Sequence, residues 1–135
     1  MTHVAHMMHA PSTPRTMATA LGWFSLALGA AELLAPKAMA HWLGMRHGAP
    51  ILKVYGAREV AAGVGILALG NKAPGIWSRV AGDALDIATL VSVAIENPSR
   101  RRNVGIAFAA VLGATAADIA CGVLLRDEAK RQRRH

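Results

Sequence analysis

The stretch ILKVYGAREVAAGVGILALG, residues 51–70, is as long and apolar as a membrane-crossing helix, yet it carries Lys53, Arg58 and Glu59. Charges in such a run decide how it is read. An ionisable group at membrane depth costs at least about 2.5 kcal/mol, so it turns toward a bundle interior or a cavity and takes a partner there. Outward from this stretch lie three more segments of the same kind, at residues 17–36, 76–95 and 104–125. At about 1.5 Å of rise per residue, each can cross a hydrocarbon core of about 30 Å. Together the four hold five of the chain's eight carboxylates: Glu32, Glu59, Asp83, Asp86 and Asp118.

The expected fold is all-α, an antiparallel four-helix transmembrane bundle with a polar, charged core. It forms one domain over residues 17–125, between a disordered polar N-terminal tail (1–16) and a basic C-terminal tail (126–135). A soluble four-helix bundle would need broad charged faces on its outer helices. The run from Ala18 to Leu34 offers only Thr19, Ser25 and Glu32. Mean hydropathy is only +0.32 because the polar tails dilute the apolar segments. Most of the net charge of +7 sits in Arg100, Arg101 and Arg102 and in Arg126, Lys130, Arg131, Arg133 and Arg134, beside apolar runs. Clusters so placed suit anionic lipid headgroups, and no nucleic-acid recognition fold accompanies them. The expected partners are therefore the lipid bilayer and other membrane chains, not nucleic acid.

An even number of spans puts both termini on one side, which carries eight Lys and Arg against six opposite. The positive-inside rule then favours cytoplasmic termini. Ala38-Met39-Ala40 matches a signal-cleavage pattern, but Glu32 and Pro36-Lys37 argue against removal of the first segment. The lone Cys121 excludes an internal disulfide.

Small residues recur every four positions along the last segment at Gly105, Ala109, Gly113, Ala117 and Cys121, and along the second at Ala57, Ala61 and Gly65. Such ridges let helix backbones approach closely. They are expected to pack within the bundle first, and against a second copy or a partner membrane subunit second.

Alternating helix direction converts sequence position into depth. Glu32 and Arg58 fall at one level with Glu59 beside them, and a contact between Glu32 and Arg58 is expected. Arg79, Asp83 and Asp118 form a second layer from the opposite surface, with Asp86 near the midplane. Arg79, Asp83 and Asp86 share one helix face by their spacing of four and three. Buried ion pairs that fix register would account for these residues. Five acids against two arginines leave a surplus, however, which makes Asp83 with Asp86, or Glu59, the expected proton carrier. The ligand or proton-binding candidates are thus Glu32, Arg58, Glu59, Arg79, Asp83, Asp86 and Asp118. His3, His6 and His9 with Met7 and Met8 could offer ligands to copper or zinc. They lie in a terminal segment, so no metal site and no cofactor are expected. No nucleophile, zinc-protease or phosphate-loop motif occurs, which leaves an enzyme unfavoured.

Three runs are familiar as a set: Gly29-Ala30-Ala31-Glu32-Leu33-Leu34-Ala35-Pro36, then Tyr55-Gly56-Ala57-Arg58-Glu59-Val60-Ala61-Ala62-Gly63, then Gly82-Asp83-Ala84-Leu85-Asp86. Over about residues 18–125 the chain resembles a family of small bacterial four-helix membrane proteins of unknown function. That family is distantly DoxX-like, and some members look like the membrane half of cyclase/dehydrase fusions. The resemblance implies a multi-pass protein of the inner membrane and marks Glu32, Pro36, Gly56, Arg58, Glu59, Asp83 and Asp86 as family-like positions. It implies no reaction. The expected function is an accessory or scaffold component with a charged intramembrane cluster; the alternative is a proton-coupled carrier or small-solute permeation unit acting as a homo-oligomer.

Overall fold

A computed structural model describes residues 12–134, all of whose regular structure is helical. The elements are α1 (Thr13–Leu34), α2 (Pro36–Leu43), α3 (Ala49–Ala68), α4 (Ala73–Glu96), a 3-10 turn (Pro98–Arg100) and α5 (Arg101–Arg133). Proline marks the first or second position of α1, α2, α3, α4 and the 3-10 turn. There its fixed φ suits the helix and its missing N–H leaves nothing unpaired. The expected metal-ligand candidates His3, His6, Met7, Met8 and His9 lie outside the described residues.

Contacts set the direction of each neighbouring pair. Gly22 meets Gly63 and Gly29 meets Gly56, so α1 and α3 run antiparallel. The Tyr55 hydroxyl shares a 2.6 Å hydrogen bond with Thr89, while Gly75 lies against Ile66, and α4 therefore returns along α3. Arg79 bonds to Asp118 and Trp77 covers Gly122, which sets α5 antiparallel to α4. The ring closes where Cys121 Sγ donates to the Pro14 carbonyl at 3.4 Å.

One end of this assembly is an apolar cluster of Ala18, Ile66, Ile76, Cys121 and Leu125, drawn from all four long helices. The other holds Leu43, Leu90, Val93 and Val104. Polar side chains fill the level between them.

Several expectations are corrected. Residues 36–43, expected as the end of a span and a loop, form the separate helix α2, because Pro36 lacks the N–H that continuation of α1 requires. Gly44 ends α2 at φ 79, its N–H bonding to His41 O and that of Met45 to Ala40 O. Only glycine takes this left-handed position without strain. Of the expected disordered tail, residues 13–16 are the first turn of α1, and the expected basic tail is helical as far as Arg133. The small-residue ridges are also misplaced. Gly105, Ala109 and Gly113 are exposed, Ala57 and Ala61 are exposed, and a methyl group added at Gly65, Gly105 or Gly113 would meet no atom within 4 Å.

The close-packed seam is instead Gly22 and Gly29 on α1 against Gly56 and Gly63 on α3. A β-carbon on Gly56 would lie 2.9 Å from Gly29 O, and one on Gly63 would lie 2.8 Å from Gly22 O. On α5 the packed face is Val104, Asp118, Cys121, Gly122 and Leu125, which shares only Cys121 with the expected ridge. Gly105→Ala and Gly113→Ala should accordingly leave the fold intact. Their thermal midpoints in detergent are expected to stay level or rise, since alanine is favoured over glycine in a helix by about 1 kcal/mol.

Two helical stretches, Thr13–Leu34 and Pro98–Arg133, are long and apolar enough to cross a membrane. The other two long helices carry more charge: Lys53, Arg58 and Glu59 on α3, and Arg79, Asp83 and Asp86 on α4.

Candidate functional site

Arg79 is the centre of the polar level. Its α4 position puts it between α3 and α5, where it is only 1% exposed. Nη1 donates to Glu59 Oε2 at 2.7 Å and Nε donates to Asp118 Oδ1 at 2.8 Å. Glu59 Oε2 also accepts the Ser25 hydroxyl at 2.7 Å, which ties in α1. The planar guanidinium can serve two carboxylates at once, whereas a lysine ammonium is a single point charge. Four long helices are thus joined through one arginine.

A second arginine extends the network. Arg58 Nη2 lies 3.2 Å from Glu59 Oε1 and 3.3 Å from Asp86 Oδ1, and Nη1 donates to the Gly82 carbonyl at 3.3 Å. A β-carbon on Gly82 would fall 2.7 Å from the Arg58 Cζ, so a larger residue there would push the guanidinium aside. The guanidinium also lies over the Tyr55 ring, 4.9 Å from its centroid.

The expected arrangement is therefore corrected in three respects. Glu32 forms no ion pair with Arg58; Asp86 of α4 and the adjacent Glu59 take that guanidinium. The two depth layers merge into one network, because Glu59 reaches the arginine of the other layer. Glu59 and Asp86 are both ion-paired, so neither is the spare carboxylate. The expected pairing of Asp83 with Asp86 gives way to a neighbouring of Asp83 with Asp118 across α4 and α5. Asp86 is spaced to share a face with Asp83, but α3 presents Arg58 to it first.

Two carboxylates remain over. Glu32 is 6% exposed and Asp83 is 3% exposed, and among the described residues Glu32 Oε1 and Asp83 Oδ2 are buried without a hydrogen-bond partner. Asp118 Oδ2 is in the same condition. Thr115, beside Asp83, cannot help while its hydroxyl donates to Val111 O at 2.7 Å. Buried polar atoms are nearly always bonded; a proton shared between Asp83 and Asp118 would join those two, whereas Glu32 Oε1 has only the cavity before it.

Glu32 and Asp83 both line a cavity of about 180 Å³ between the polar level and the Leu43 cluster. Asp86 and Arg79 complete its charged wall. The rest is mostly apolar, with Phe24 and Leu28 from α1, Met39 and Leu43 from α2, Leu52 from α3, and Val111 with Ala114 from α5, beside the mutually hydrogen-bonded hydroxyls of Tyr55 and Thr89. The sequence reasoning missed α2 and Ser25 as parts of the site. A periodic signal was present for Ser25, since Ala18, Gly22, Ser25, Gly29 and Glu32 repeat at four and three along one face of α1. Nothing comparable marks α2, whose place follows from tertiary packing.

No protein-family model, curated protein or solved structure matches this chain.

Proposed function

We propose that the chain is an integral membrane protein whose four long helices all span the bilayer, and that it serves as an accessory or scaffold component clasped by its intramembrane charges. The observation that carries this is where the charges of α3 and α4 go. By composition they weaken the case for a span; in the fold the mid-helix charges turn inward, Arg58 and Asp86 keeping 22% and 18% of their surface while bonded to each other, and Lys53 and Glu96, near helix ends, are exposed. The outward faces of the same helices carry Val54 (67% exposed), Val64, Leu85, Val91 and Ile95 (70%). Those of α1 and α5 carry Trp23, Leu34, Ile106 and Leu112. Large apolar side chains are exposed on every long helix, as a lipid-facing surface requires. The 20 residues of α3 cover about 30 Å, a hydrocarbon thickness.

The scaffold role is supported by the clasp itself, to which every long helix contributes. Kinship with the DoxX-like bacterial inner-membrane proteins, and cytoplasmic termini, belong to the same proposal. A second function, as a proton-coupled carrier or small-solute unit, is favoured by the cavity with its unpaired Glu32 and Asp83. A chain this short would act as a homo-oligomer in that role, and the exposed ridges of α3 and α5 suit a second copy.

Single cysteines in a Cys121→Ser background test the topology. A thiol at His47 should be labelled from one side of sealed vesicles, and thiols at Asn71 and Lys130 from the other. If His47 and Asn71 label from the same side, only α1 and α5 span and the four-span proposal is wrong.

A further inference from the structure

The cavity is chemically one-sided. Its charged wall holds three carboxylates, Glu32, Asp83 and Asp86, against Arg79, whose Nε and Nη1 are already bonded to Asp118 and Glu59. Two of the three, Glu32 and Asp83, are more than nine-tenths buried and keep an unpartnered oxygen. Such a wall repels anions and calls for a donor that also brings positive charge. A calcium-like cation fits poorly, because it needs about six to eight oxygen ligands and, beyond the carboxylates and the Tyr55–Thr89 hydroxyl pair, the wall is Phe24, Leu28, Leu43, Leu52 and Val111. The ligand must present N–H groups at one end and hydrocarbon at the other. Size sets its body, since a cavity of about 150 Å³ accommodates benzene and this one is about 180 Å³.

We infer that the cavity binds a small protonated amine with an apolar, benzene-sized body, its ammonium held by Glu32 and Asp83. The inference deepens the second function above by naming the ligand class. It holds whether or not the site transports anything, so a binding assay and an uptake assay can fail separately. Glu32 arrives from the last turn of α1 and Asp83 from the middle of α4, so the ammonium would bridge two helices that the Arg79 clasp does not join at this level. Asp86 contributes negative potential but is held by Arg58.

The test uses the full chain in nanodiscs of zwitterionic lipid, with empty nanodiscs as reference, and fluorine NMR of 4-fluorobenzylammonium as probe. A saturable shift is expected for the ammonium, with the neutral 4-fluorobenzyl alcohol weaker by about tenfold or more and 4-fluorobenzoate not bound, as charge-assisted hydrogen bonding requires. Glu32→Gln and Asp83→Asn should each weaken the ammonium by about tenfold. Ala114→Phe should block the cavity and abolish the shift. Equal affinity for ammonium and alcohol would overturn the inference in favour of a neutral donor site. So would displacement by potassium as effective as by unlabelled amine, or no saturation beyond empty discs. If the variants fail to fold, the ranking of the three probes on the native chain decides alone.

Discussion

Arg79→Met should be the most damaging single change to this protein. The substitution keeps an unbranched apolar stem but leaves Glu59 (1% exposed) and Asp118 (0%) facing each other across the space the guanidinium occupied. Removing one partner of a buried pair costs about 3–5 kcal/mol, and here two carboxylates lose their partner together. The expected outcome is loss of the folded monomer in mild detergent, seen as aggregation or as collapse of the thermal transition. Arg79→Lys should recover only part of the loss, since one ammonium cannot serve both acids in the fork geometry. The triple change Arg79→Met, Glu59→Gln, Asp118→Asn should restore a cooperative transition, because no charge is then left uncompensated. A single mutant that melts like the native chain would mean the network contributes nothing to the fold.

Gly29→Ala should be nearly as severe for a different reason. The added β-carbon would sit 2.7 Å from Gly56 O and 2.9 Å from Val60 N, both backbone atoms of a neighbouring helix. A flexible side chain could move aside, but here a whole helix must shift. Overpacking typically costs about 1–3 kcal/mol, and a backbone obstacle places this case at about 3 kcal/mol or more. The shift would also move Glu32, one turn further along α1, away from the cavity, so amine binding should fall together with stability. Gly113→Ala, the same chemical change at an exposed position, is the control. Equal melting temperatures for the two variants would show that the α1–α3 seam is not as tight as its geometry indicates.

The contrast between Gly29 and Gly113 shows where sequence reasoning reaches its limit. Four-residue spacing on α5 looks like a packing ridge, and the residues are small enough for one. Position round the helix axis decides the matter, however, and one residue of offset is about 100° of rotation. The face that packs on α5 is the one carrying Asp118, because burying a charge toward Arg79 outweighs what a few small residues gain by close approach. The charges themselves were the better guide to orientation. On α1, Ser25 and Glu32 lie on the packed face with Gly22 and Gly29, and on α3 Glu59 lies there with Gly56 and Gly63.

By itself the sequence determined that this chain is helical, where its long helices lie to within a turn, and that its internal acids and arginines belong together. Hydrophobic length, proline at helix starts and the cost of charge in apolar runs are local properties that need no knowledge of neighbours. Pairing is different in kind. That Arg58 takes Asp86 and not Glu32, that Glu59 reaches Arg79 across the expected layers, and that Glu32 and Asp83 are left facing a cavity, were decided only by the tertiary structure. Each follows from helix rotation and from the packing of α2 against α3. Those quantities are set by the close approach of Gly29 to Gly56 and of Gly22 to Gly63, and by the competition of five carboxylates for two guanidinium groups.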